Sequence, residues 1–374
     1  MKHITLENLL QELSEKQPIF VVVSNNLTGH RIQYLTSLFK RFSIGEVKIV
    51  VVLVSKIEFG LSIPQIKDLQ AIAFDYIDDC KSTRKTLSVV RKLANRNFSS
   101  DILFWDADNW ILPLLLFREK SKLLFMRPYL SQKSTKKVAL LSVKWCAILF
   151  FYYVRRFDVG ILGVPLHTQR LMPSLWVDDA LLIPPDLHAS SRDGKFSNFL
   201  PDIPANSKVV LVPGFITARK NPKLVINAIE LASRSISTGI ILIFAGKSDV
   251  ESSSLIAGYD NPNIRHINQY LSVDEYRMLL LLSDIIVLPY TNRGSSGITI
   301  ESLANGKPVI LGNCELWTEA ADSARGLIHL CNLEESAISR SLVQLLSENL
   351  KHAPLYLVGT KRQTVIDFFQ PTKL

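Results

Sequence analysis

The sequence predicts an α/β protein made of two parallel-sheet domains. Short apolar runs rich in valine, isoleucine and leucine alternate with helical patterns along the chain, which is typical of βαβ units. A polar stretch with one glycine and two prolines, residues 190–207, interrupts this alternation before it begins again. The chain has 374 residues, whereas a single hydrophobic core stops growing at about 250–300 residues. These observations predict two domains joined by a linker.

The composition describes an ordered and basic protein. Apolar residues make up 47% of the chain and charged residues 21%, and these proportions exclude a disordered chain. The formal net charge of +9 is compatible with three kinds of partner: nucleic acid, an anionic membrane surface and small phosphorylated substrates. No zinc-finger spacing or RNA-binding motif is recognisable, so we expect no nucleic-acid partner.

Cysteine usage and the N-terminal stretch predict a cytoplasmic protein. The four cysteines are scattered without a CxxC pair, which indicates reduced thiols rather than a disulfide frame or a zinc site. The N-terminal stretch MKHITLENLLQELSEKQ lacks the apolar segment of a signal peptide. We therefore expect the chain to reside in the cytoplasm.

Residues 1–190 are predicted to form the first domain. Continuous β-branched runs such as IFVVV at Ile19–Val23 are typical of strands buried on both faces of a sheet. The predicted strands are Ile19–Val23, Val47–Val54, Ala71–Ile77, Asp101–Trp105, Leu123–Met126, Val159–Val164 and Leu181–Ile183. The predicted helices are Arg84–Asn95 and Trp110–Phe117.

Polar residues follow several of these strands and are candidates for a ligand site. In α/β sheets, ligands bind at the carboxyl ends of the parallel strands, where the loops converge. The candidates in this half of the chain are Gly29, His30, Arg31, Asp106 and His167. His30 is equally compatible with an ordinary loop residue near the start of a helix.

The triplet Asp106-Ala107-Asp108 has two interpretations as a motif. Two carboxylates separated by one residue can share a divalent cation with a diphosphate. Alternatively, Asp106 caps the helix that begins near Trp110. Because such short patterns are common, we expect Asp106 to face a ligand site and no metal to bind.

The most apolar stretch of the chain is residues 133–156. Its uninterrupted apolar run, Trp145–Val154, is shorter than the about 20 residues that span a membrane. The stretch is predicted to be either a helix buried or half-buried in the first domain or a helix lying in the membrane interface. The flanking basic residues are Lys133, Lys136, Lys137, Arg155 and Arg156. Because of them, an anionic membrane surface stays open as a partner.

Residues 208–352 are predicted to form the second domain, after a linker at residues 191–207. The predicted strands are Val209–Val212, Ile240–Phe244, Ile264–Asn268 and Ile285–Pro289, with a further apolar strand after Pro308. The predicted helices are Leu224–Ser233, Val273–Leu282, Glu335–Ser347 and Lys361–Phe369, with one more that carries Glu301. Residues 353–374 are expected to pack a C-terminal helix back on the first domain.

Three strand-end loops of the second domain combine small residues with cations. These loops are residues 214–220, 246–247 and 293–297. Loops at one edge of a parallel sheet converge, so they can surround a single anion. Arg219 offers a planar fork and Lys220 a point charge, a pair that suits a diphosphate. The last loop leads into a helix N-terminus that favours anions, and Glu301 follows about one turn later, near where a ribose would lie.

In their order and intervals, these residues resemble the donor-binding signature of retaining GT-B glycosyltransferases of family four. The matching residues are Gly214, Arg219, Lys220, Ala228-Ile229, Ala245-Gly246, Ser283-Asp284, Leu288-Pro289, Glu301 and Gly306-Lys307-Pro308-Val309-Ile310. The match covers residues 208–330 well, whereas Gly29-His30 and Ile183-Pro184-Pro185 are similar to the family without being diagnostic. The resemblance implies a GT-B fold, in which two Rossmann-like domains face each other across a cleft.

The resemblance also implies an activity. A hexosyltransferase of this kind moves a sugar from a UDP- or GDP-linked donor to a hydroxyl of a glycan or lipid-linked acceptor, in the synthesis of surface polysaccharide or glycolipid. Retention of anomeric configuration is implied, with no essential metal and no cofactor beyond the nucleotide-sugar substrate. For such a chain, a peripheral position on the inner face of the membrane is an open expectation.

Site residues are implied in the same way. The donor-binding residues would be Gly214, Arg219, Lys220, Gly246, Arg293, Ser295, Ser296, Gly297 and Glu301. Among them, Arg219 and Lys220 would bind the diphosphate and Glu301 the ribose. The residues on the acceptor side would be Gly29, His30, Arg31, Asp106 and His167. The catalytic residues would be Arg219, Lys220, Asp106 and His30.

Two positions depart from the family pattern. An acid that contacts a hydroxyl of the donor sugar normally stands eight residues before Glu301, and here that position is Arg293. A histidine at the end of the fourth strand is absent, and Asp106 stands close to its place. Two other functions therefore stay open: a different GT-B enzyme, such as an inverting transferase or an epimerase-like enzyme, and a degenerate GT-B domain that binds a nucleotide-sugar or a partner without turnover.

Overall fold

The computed structural model describes residues 2–3, 5, 7–8, 19–24, 48–53, 75–77, 82–95, 101–126, 135–163, 172–178, 203–204, 206–289, 296–313, 315–324, 326–348 and 368. The chain divides into two compact units, and each contains a parallel β-sheet. This arrangement confirms the predicted α/β class with two parallel sheets.

The first unit carries the N-terminal sheet. Its strands are β1 Lys2–His3, β2 Ile19–Ser24, β3 Lys48–Leu53, β4 Asp75–Ile77, β5 Asp101–Trp105, β6 Lys122–Phe125, β7 Asp158–Gly163 and β8 Trp176–Asp178. Its helices are α1 Thr83–Ala94, α2 Ile111–Leu115 and α3 Thr135–Leu149, and α3 continues into a π-helical turn, Phe150–Val154. The strands pair in the order β1-β4-β3-β2-β5-β6-β7-β8, all parallel.

The centre of this sheet is formed by β2 and β5. Their apolar side chains are almost fully buried, as expected for a parallel sheet covered on both faces. Strand order reverses here, because the chain continues from β2 to β3 on one side and from β5 to β6 on the other. The carboxyl ends of β2 and β5 are therefore the place where this sheet would bind a ligand.

The second unit carries the C-terminal sheet. Its strands are β9 Lys208–Pro213, β10 Ile240–Ala245, β11 Ile264–Ile267, β12 Ile285–Leu288, β13 Val309–Gly312 and β14 Ile328–Cys331. Its helices are α4 Pro222–Ser233, α5 Val250–Ala257, α6 Val273–Leu282, α7 Gly297–Ala304, α8 Glu315–Ser323 and α9 Glu335–Ser347. The parallel strand order is β11-β10-β9-β12-β13-β14, so order reverses between β9 and β12.

Polar side chains determine where four of these helices begin. Asn221, Asp249, Ser272 and Ser296 each accept a hydrogen bond from the amide three residues later, at the starts of α4, α5, α6 and α7. Such caps satisfy amides that have no partner inside the helix. At the start of α6, Glu275 also reaches back to the Ser272 amide, which completes a capping box.

Most predicted elements agree with the structure to within a few residues. The sequence reasoning did not identify β1, β8, α5, α8 or β14, because their segments are short and α5 contains three consecutive serines instead of an apolar period. The predicted helix Trp110–Phe117 is shorter, at Ile111–Leu115, since a 3₁₀ turn at Ala107–Asn109 comes before it. The predicted strand at 181–183 lies outside the described residues.

The apolar stretch of α3 and its π-helical turn is half-buried. Ala147, Ile148 and Phe151 belong to the core of the first unit, whereas Tyr153 and Val154 are exposed. This agrees with the half-buried alternative. Within the described parts of the chain, no helix combines the length and the apolar character needed to cross a membrane.

The predicted domain boundaries remain predictions, because residues 179–202 and 349–367 lie outside the described ranges. Phe368 belongs to the first unit. Lys122 Nζ donates a hydrogen bond to its carbonyl oxygen at 3.3 Å, and a Cβ on Gly160 would lie 3.1 Å from its ring. This aromatic side chain therefore packs directly on the N-terminal sheet.

Candidate functional site

The second sheet places two predicted site segments at its reversal of strand order. β9 and β12 are neighbours, with Ile285 opposite Val210 and Ile286 opposite Leu211. The chain after β9 forms the loop that contains Gly214 and Lys220, and the chain after β12 leads to α7. Ligands of open parallel sheets bind at this point, because the two loops separate towards opposite sides and leave a crevice.

Two glycines allow these loops to approach closely. Gly214 has φ +87° and Gly246 has φ +138°, a region that side-chain-bearing residues rarely adopt. A Cβ on Gly246 would lie 2.3 Å from the Gly214 carbonyl oxygen, so only glycine fits there. The Gly214 amide also donates to the Ala245 carbonyl at 2.8 Å. The loops after β9 and β10 are thus held against each other.

Gly214 is also where Lys220 and the first turn of α7 meet. A Cβ on Gly214 would lie 3.1 Å from Ile298 Cδ1 and 3.2 Å from Lys220 Nζ. The structure therefore brings together Gly214, Gly246, Lys220 and the start of α7, as the sequence predicted for this edge of the sheet. The segment with Arg293 and Ser295 lies outside the described residues, so these two residues stay predictions.

Lys220 is buried, with only 3% of its surface exposed. Its ammonium group donates a hydrogen bond to the Pro213 carbonyl. Burial, and secondly the charge of Arg219, lowers the pKa of Lys220 from 10.5 to about 7. A cation held away from water in this way would gain an anionic partner at little cost in further desolvation.

Arg219 and Lys220 occupy one short 3₁₀ turn, Ala218–Lys220. Asn221, in a left-handed conformation with φ 39°, ends this turn and caps α4. As a result, the two cations project differently: Lys220 is buried beneath the loop, whereas Arg219 is exposed. The arrangement provides one fixed charge and one that can reach a ligand from the surface.

The N-terminus of α7 supplies backbone amides at the same crevice. Ser296, 6% exposed, caps the helix by accepting a hydrogen bond from the Thr299 amide at 3.4 Å, and Gly297 is the first helical residue. The aligned peptide dipoles favour negative charge at this end of the helix. Gly214 and Lys220 lie beside this turn, so three favourable features for an anion coincide.

Glu301 lies one turn into α7 and is 3% exposed. The Arg277 Nε atom, from α6, is 3.9 Å from Glu301 Oε1. A buried carboxylate is unfavourable without an opposite charge, so Arg277 stabilises the ionised form of Glu301. The sequence reasoning missed Arg277. The signal for it was a single cation next to the apolar run MLLLL of an amphipathic helix.

A polar cluster supports the loop after β10. Ser248 Oγ and His266 Nε2 are 2.7 Å apart, and the Ser248 amide donates to Asn268 Oδ1 at 2.9 Å. Burial lowers the pKa of His266, which favours the neutral imidazole. These contacts join the ends of β10 and β11 and hold the turn that contains Gly246.

Asp106 lies at the reversal of strand order in the first sheet. It directly follows β5, is 3% exposed and has a left-handed backbone with φ 64°. A residue other than glycine in this region is uncommon and often marks a functional position. Asp106 begins the 3₁₀ turn but makes no side-chain capping hydrogen bond, so the capping alternative is wrong.

Both carboxylate oxygens of Asp108 have hydrogen-bond partners within the first unit. One carboxylate oxygen accepts a hydrogen bond from Lys144 of α3, and the other accepts from the Met126 amide at 2.6 Å. Burial lowers the pKa of Lys144 to about 8, while the nearby charge of Asp106 acts in the opposite direction. Within the described ranges, no group of three or more histidine, cysteine or acidic residues is arranged to hold a metal ion.

The other predicted residues of the first half cannot be located in this way. Gly29, His30, Arg31 and His167 lie outside the described residues. They stay predictions on the acceptor side.

Comparison with known proteins relates part of the chain to a known family. Residues 196–356 match the family model of glycosyl transferases group 1, and this range contains the crevice with Gly214, Lys220 and Glu301. The match supports a glycosyltransferase enzyme. No curated protein sequence matches the chain.

Solved structures similar to this chain share its fold. A glycosyltransferase from Rickettsia africae has a TM-score of 0.57 at 15% identity, with 88% of each chain covered. Anabaena HepE in complex with UDP-glucose has a TM-score of 0.58 at 12% identity, covering 90% of this chain and 92% of that one. Sucrose-phosphate synthase from Thermosynechococcus elongatus has a TM-score of 0.55 at 15% identity, covering 90% and 92%. The predicted GT-B fold is confirmed.

Proposed function

We propose that this protein is a retaining glycosyltransferase of family four, which moves a hexose from a nucleotide-diphosphate-sugar to an acceptor hydroxyl without an essential metal. The observation that carries the proposal is the meeting of Gly214, Lys220 and the first turn of α7 where strand order reverses in the second sheet. A crevice with a buried cation, close backbone approach and a helix N-terminus suits a diphosphate. UDP-glucose bound to HepE, a protein of the same fold, supports a nucleotide-sugar donor.

Each residue of the second unit then has a role in the departure of the diphosphate. The bond from the sugar to the phosphate breaks as oxocarbenium character develops on the sugar, so negative charge grows on the leaving group. Arg219, Lys220 and the amides at Ser296 and Gly297 would stabilise this charge because they are positioned before it forms. Glu301, held ionised by Arg277, would accept hydrogen bonds from the ribose hydroxyls. The leaving phosphate would take the proton of the acceptor.

The first unit would bind the acceptor, a glycan or a lipid-linked sugar of a surface polysaccharide or glycolipid pathway. Asp106 supports this role because it is a buried polar side chain at the reversal point of the first sheet. His30 is its expected partner from the loop after β2, with His167 as a further candidate. We place the reaction in the cytoplasm, at the inner face of the membrane.

The proposal is tested by titrating UDP and GDP into the protein by calorimetry. The double variant Arg219→Ala/Lys220→Ala should weaken binding by about tenfold or more, because both cations of the diphosphate site are lost. The matched control is Lys223→Ala/Arg234→Ala, which removes two exposed cations of α4 and its C-terminal end and should leave affinity unchanged. If neither nucleotide binds, or if the Arg219/Lys220 variant binds normally, the proposal is wrong.

Turnover is a separate measurement. Hydrolysis and transfer are assayed with a panel of UDP- and GDP-hexoses, and retention is read from the anomeric proton of the product. Arg293, at the position of the family's sugar-binding acid, favours one alternative: a domain that binds a nucleotide-sugar without turnover. Nucleotide binding with neither hydrolysis nor transfer across the panel would support that alternative.

A further inference from the structure

We propose that the first unit docks onto an anionic membrane surface through an exposed apolar patch surrounded by basic residues. The apolar part, called the docking patch below, consists of Leu112, Leu115, Leu116, Tyr153 and Val154. It combines one face of α2 with the end of the π-helical turn that follows α3. Membrane docking deepens the membrane location given in the proposed function, and it does not depend on nucleotide binding or turnover.

The α2 part of the docking patch is a single helical face. Leu112, Leu115 and Leu116 are spaced by three and four residues and so lie on one side of the helix. Leu112 is 75% exposed and Leu116 78%, whereas Leu114, on the other side, is fully buried in the core. The helix is therefore anchored by its inner face while its outer face presents apolar side chains to water. Large exposed apolar residues clustered in this way mark interaction sites.

One arginine contact joins the second part to the first. Arg155 donates a hydrogen bond to the Phe117 carbonyl, and Arg91 of α1 holds the same end of α2 by donating to the Leu116 carbonyl at 2.9 Å. Tyr153 and Val154, which are 63% and 65% exposed, directly precede Arg155. The end of the π-helical turn is thus fixed beside the end of α2, and the five apolar residues share one region of the surface.

The surroundings of the docking patch are basic. Arg118, Lys120 and Arg156 are exposed and lie within four residues of the patch along the chain, and the exposed Lys92 is next to Arg91 in α1. The two acids in the same segments each lie near a cation: Glu119 is 3.5 Å from Arg91, and Asp158 is 4.0 Å from Lys122. The region therefore offers exposed positive charge next to apolar side chains. This combination binds the boundary between anionic headgroups and acyl chains.

The positive charge near the docking patch also distinguishes between two possible occupants, a membrane and a second copy of the chain. A two-fold dimer through the docking patch would place identical surfaces against each other. The basic residues of both copies would then face one another, which is unfavourable. An anionic lipid surface satisfies the apolar and the charged side chains together, so we assign the patch to a membrane.

The test is flotation of the full chain with lipid vesicles in a density gradient. The protein should float with vesicles of phosphatidylcholine and phosphatidylglycerol, and should not float with phosphatidylcholine alone. Leu112→Ser/Leu116→Ser should lower binding by about tenfold, because the inserted apolar area is lost. Arg118→Ala/Lys120→Ala should lower it by about fivefold for each charge removed, and added salt should weaken binding of the wild type.

Matched controls lie on the second unit. Val250→Ser removes an apolar side chain that is 84% exposed, and Lys223→Ala/Arg234→Ala removes two exposed cations; both should float like the wild type. Circular dichroism and UDP affinity establish that every variant is folded. A chain that binds UDP but does not float keeps the proposed function and overturns the docking proposal. Equal flotation with phosphatidylcholine alone also overturns it, and so does an equal loss in the controls.

Sedimentation of the protein without vesicles tests the remaining alternative, a dimer formed through the docking patch. The wild type and Leu112→Ser/Leu116→Ser should have the same oligomeric state. If the wild type is a dimer that these substitutions dissociate, and if it does not bind vesicles, the docking patch is an interface between copies and the membrane proposal is wrong.

Discussion

In the proposed function, Lys220 combines two properties that rarely occur together, a buried position and a role in binding an anion. Burial, with the Arg219 charge as a second cause, lowers its pKa to about 7, so the ammonium and amine forms coexist near neutral pH. An anionic ligand stabilises only the ammonium form. If Lys220 binds the diphosphate as proposed, its protonation is coupled to donor binding.

Donor affinity should therefore depend on pH through Lys220. At pH values well above 7 the ligand-free protein holds the amine, and a bound diphosphate must recruit a proton to it. UDP affinity should rise by up to about tenfold for each pH unit as pH falls towards about 7, and should level off below that value. Calorimetry in buffers of different ionisation enthalpy measures this proton uptake.

The variant Lys220→Met should remove the pH dependence and bind UDP more weakly below about pH 7. Lys223→Met, an exposed lysine in the first turn of α4, should retain the full dependence. Unchanged pH dependence in Lys220→Met would show that another group takes up the proton.

The free energy of unfolding should depend on pH in the opposite sense to UDP affinity, because it should rise as pH increases. The folded-state pKa of Lys220, about 7, lies below the unfolded value of 10.5, so between these values the unfolded chain binds more protons. Stability at this site therefore rises as pH increases from about 7 to 10.5. Lys220→Met should raise the free energy of unfolding by about 1 kcal/mol or more at pH 7, and this gain should vanish near pH 10.5.

Arg277 is expected to affect UDP binding through its contact with Glu301. Its guanidinium lies 3.9 Å from a carboxylate that is 3% exposed, so Arg277→Met leaves a buried charge without this partner. We expect UDP affinity to fall by about tenfold, because the side chain that would bind the ribose loses the opposite charge beside it. Titration calorimetry with UDP measures this.

Two controls separate charge from packing at this position. Arg277→Lys keeps the charge and should recover most of the affinity, whereas Arg234→Met removes an exposed arginine at the end of α4 and should change nothing. Wild-type affinity in Arg277→Met would exclude an effect on the donor site.

At the scale of elements, the donor crevice depends on how closely two loops approach. The loop after β10 packs on the loop after β9 through Gly246, whose missing side chain leaves room for the Gly214 carbonyl. Strand pairing between β9 and β10 continues up to Ala245 opposite Pro213, so both loops begin at the same level of the sheet. The positions of the two loops therefore depend on the strand register between β9 and β10 as well as on Gly246.

Gly246→Ala should destabilise the protein by about 2 kcal/mol or more, since φ +138° is strained for alanine and its Cβ would lie 2.3 Å from the Gly214 oxygen. Gly258→Ala is the matched control. Gly258 has φ −75°, and its Cβ would be no closer than 3.4 Å to another atom, so the change should stay within about 0.5 kcal/mol. Urea unfolding compares the two variants; equal midpoints would contradict the expected difference.

At the scale of the whole molecule, both sheets reverse strand order at one point, and each point holds a candidate site. The order β4-β3-β2-β5-β6-β7 in the first sheet has the same topology as β11-β10-β9-β12-β13-β14 in the second. Asp106 ends a strand at the first reversal, and Gly214 follows a strand at the second. Two units built on one plan provide separate places for two ligands, as a transferase with a donor and an acceptor requires.

The sequence by itself was sufficient for most of the elements and for the loops that meet at one edge of the second sheet. Unbroken apolar runs identified the central strands, since a strand buried on both faces allows no polar residue. The positions of Gly214, Lys220 and Glu301 followed from strand-end loops, because loops at one edge of a parallel sheet must converge. Short elements such as α5 and α8 were missed, because tertiary contacts rather than an apolar period hold them.

Only the tertiary structure decided which charged residues meet. One interpretation of the triplet had Asp108 share a divalent cation with Asp106, but Lys144, 36 positions later, and the Met126 amide occupy its two oxygens. Arg277 approaches Glu301 from another helix, and Lys220 folds under its own loop while the adjacent Arg219 stays exposed. Spacing along the chain reports only local geometry, whereas these partners depend on how helices pack on a sheet. The sequence determined where the loops end, and packing determined which charges were buried together there.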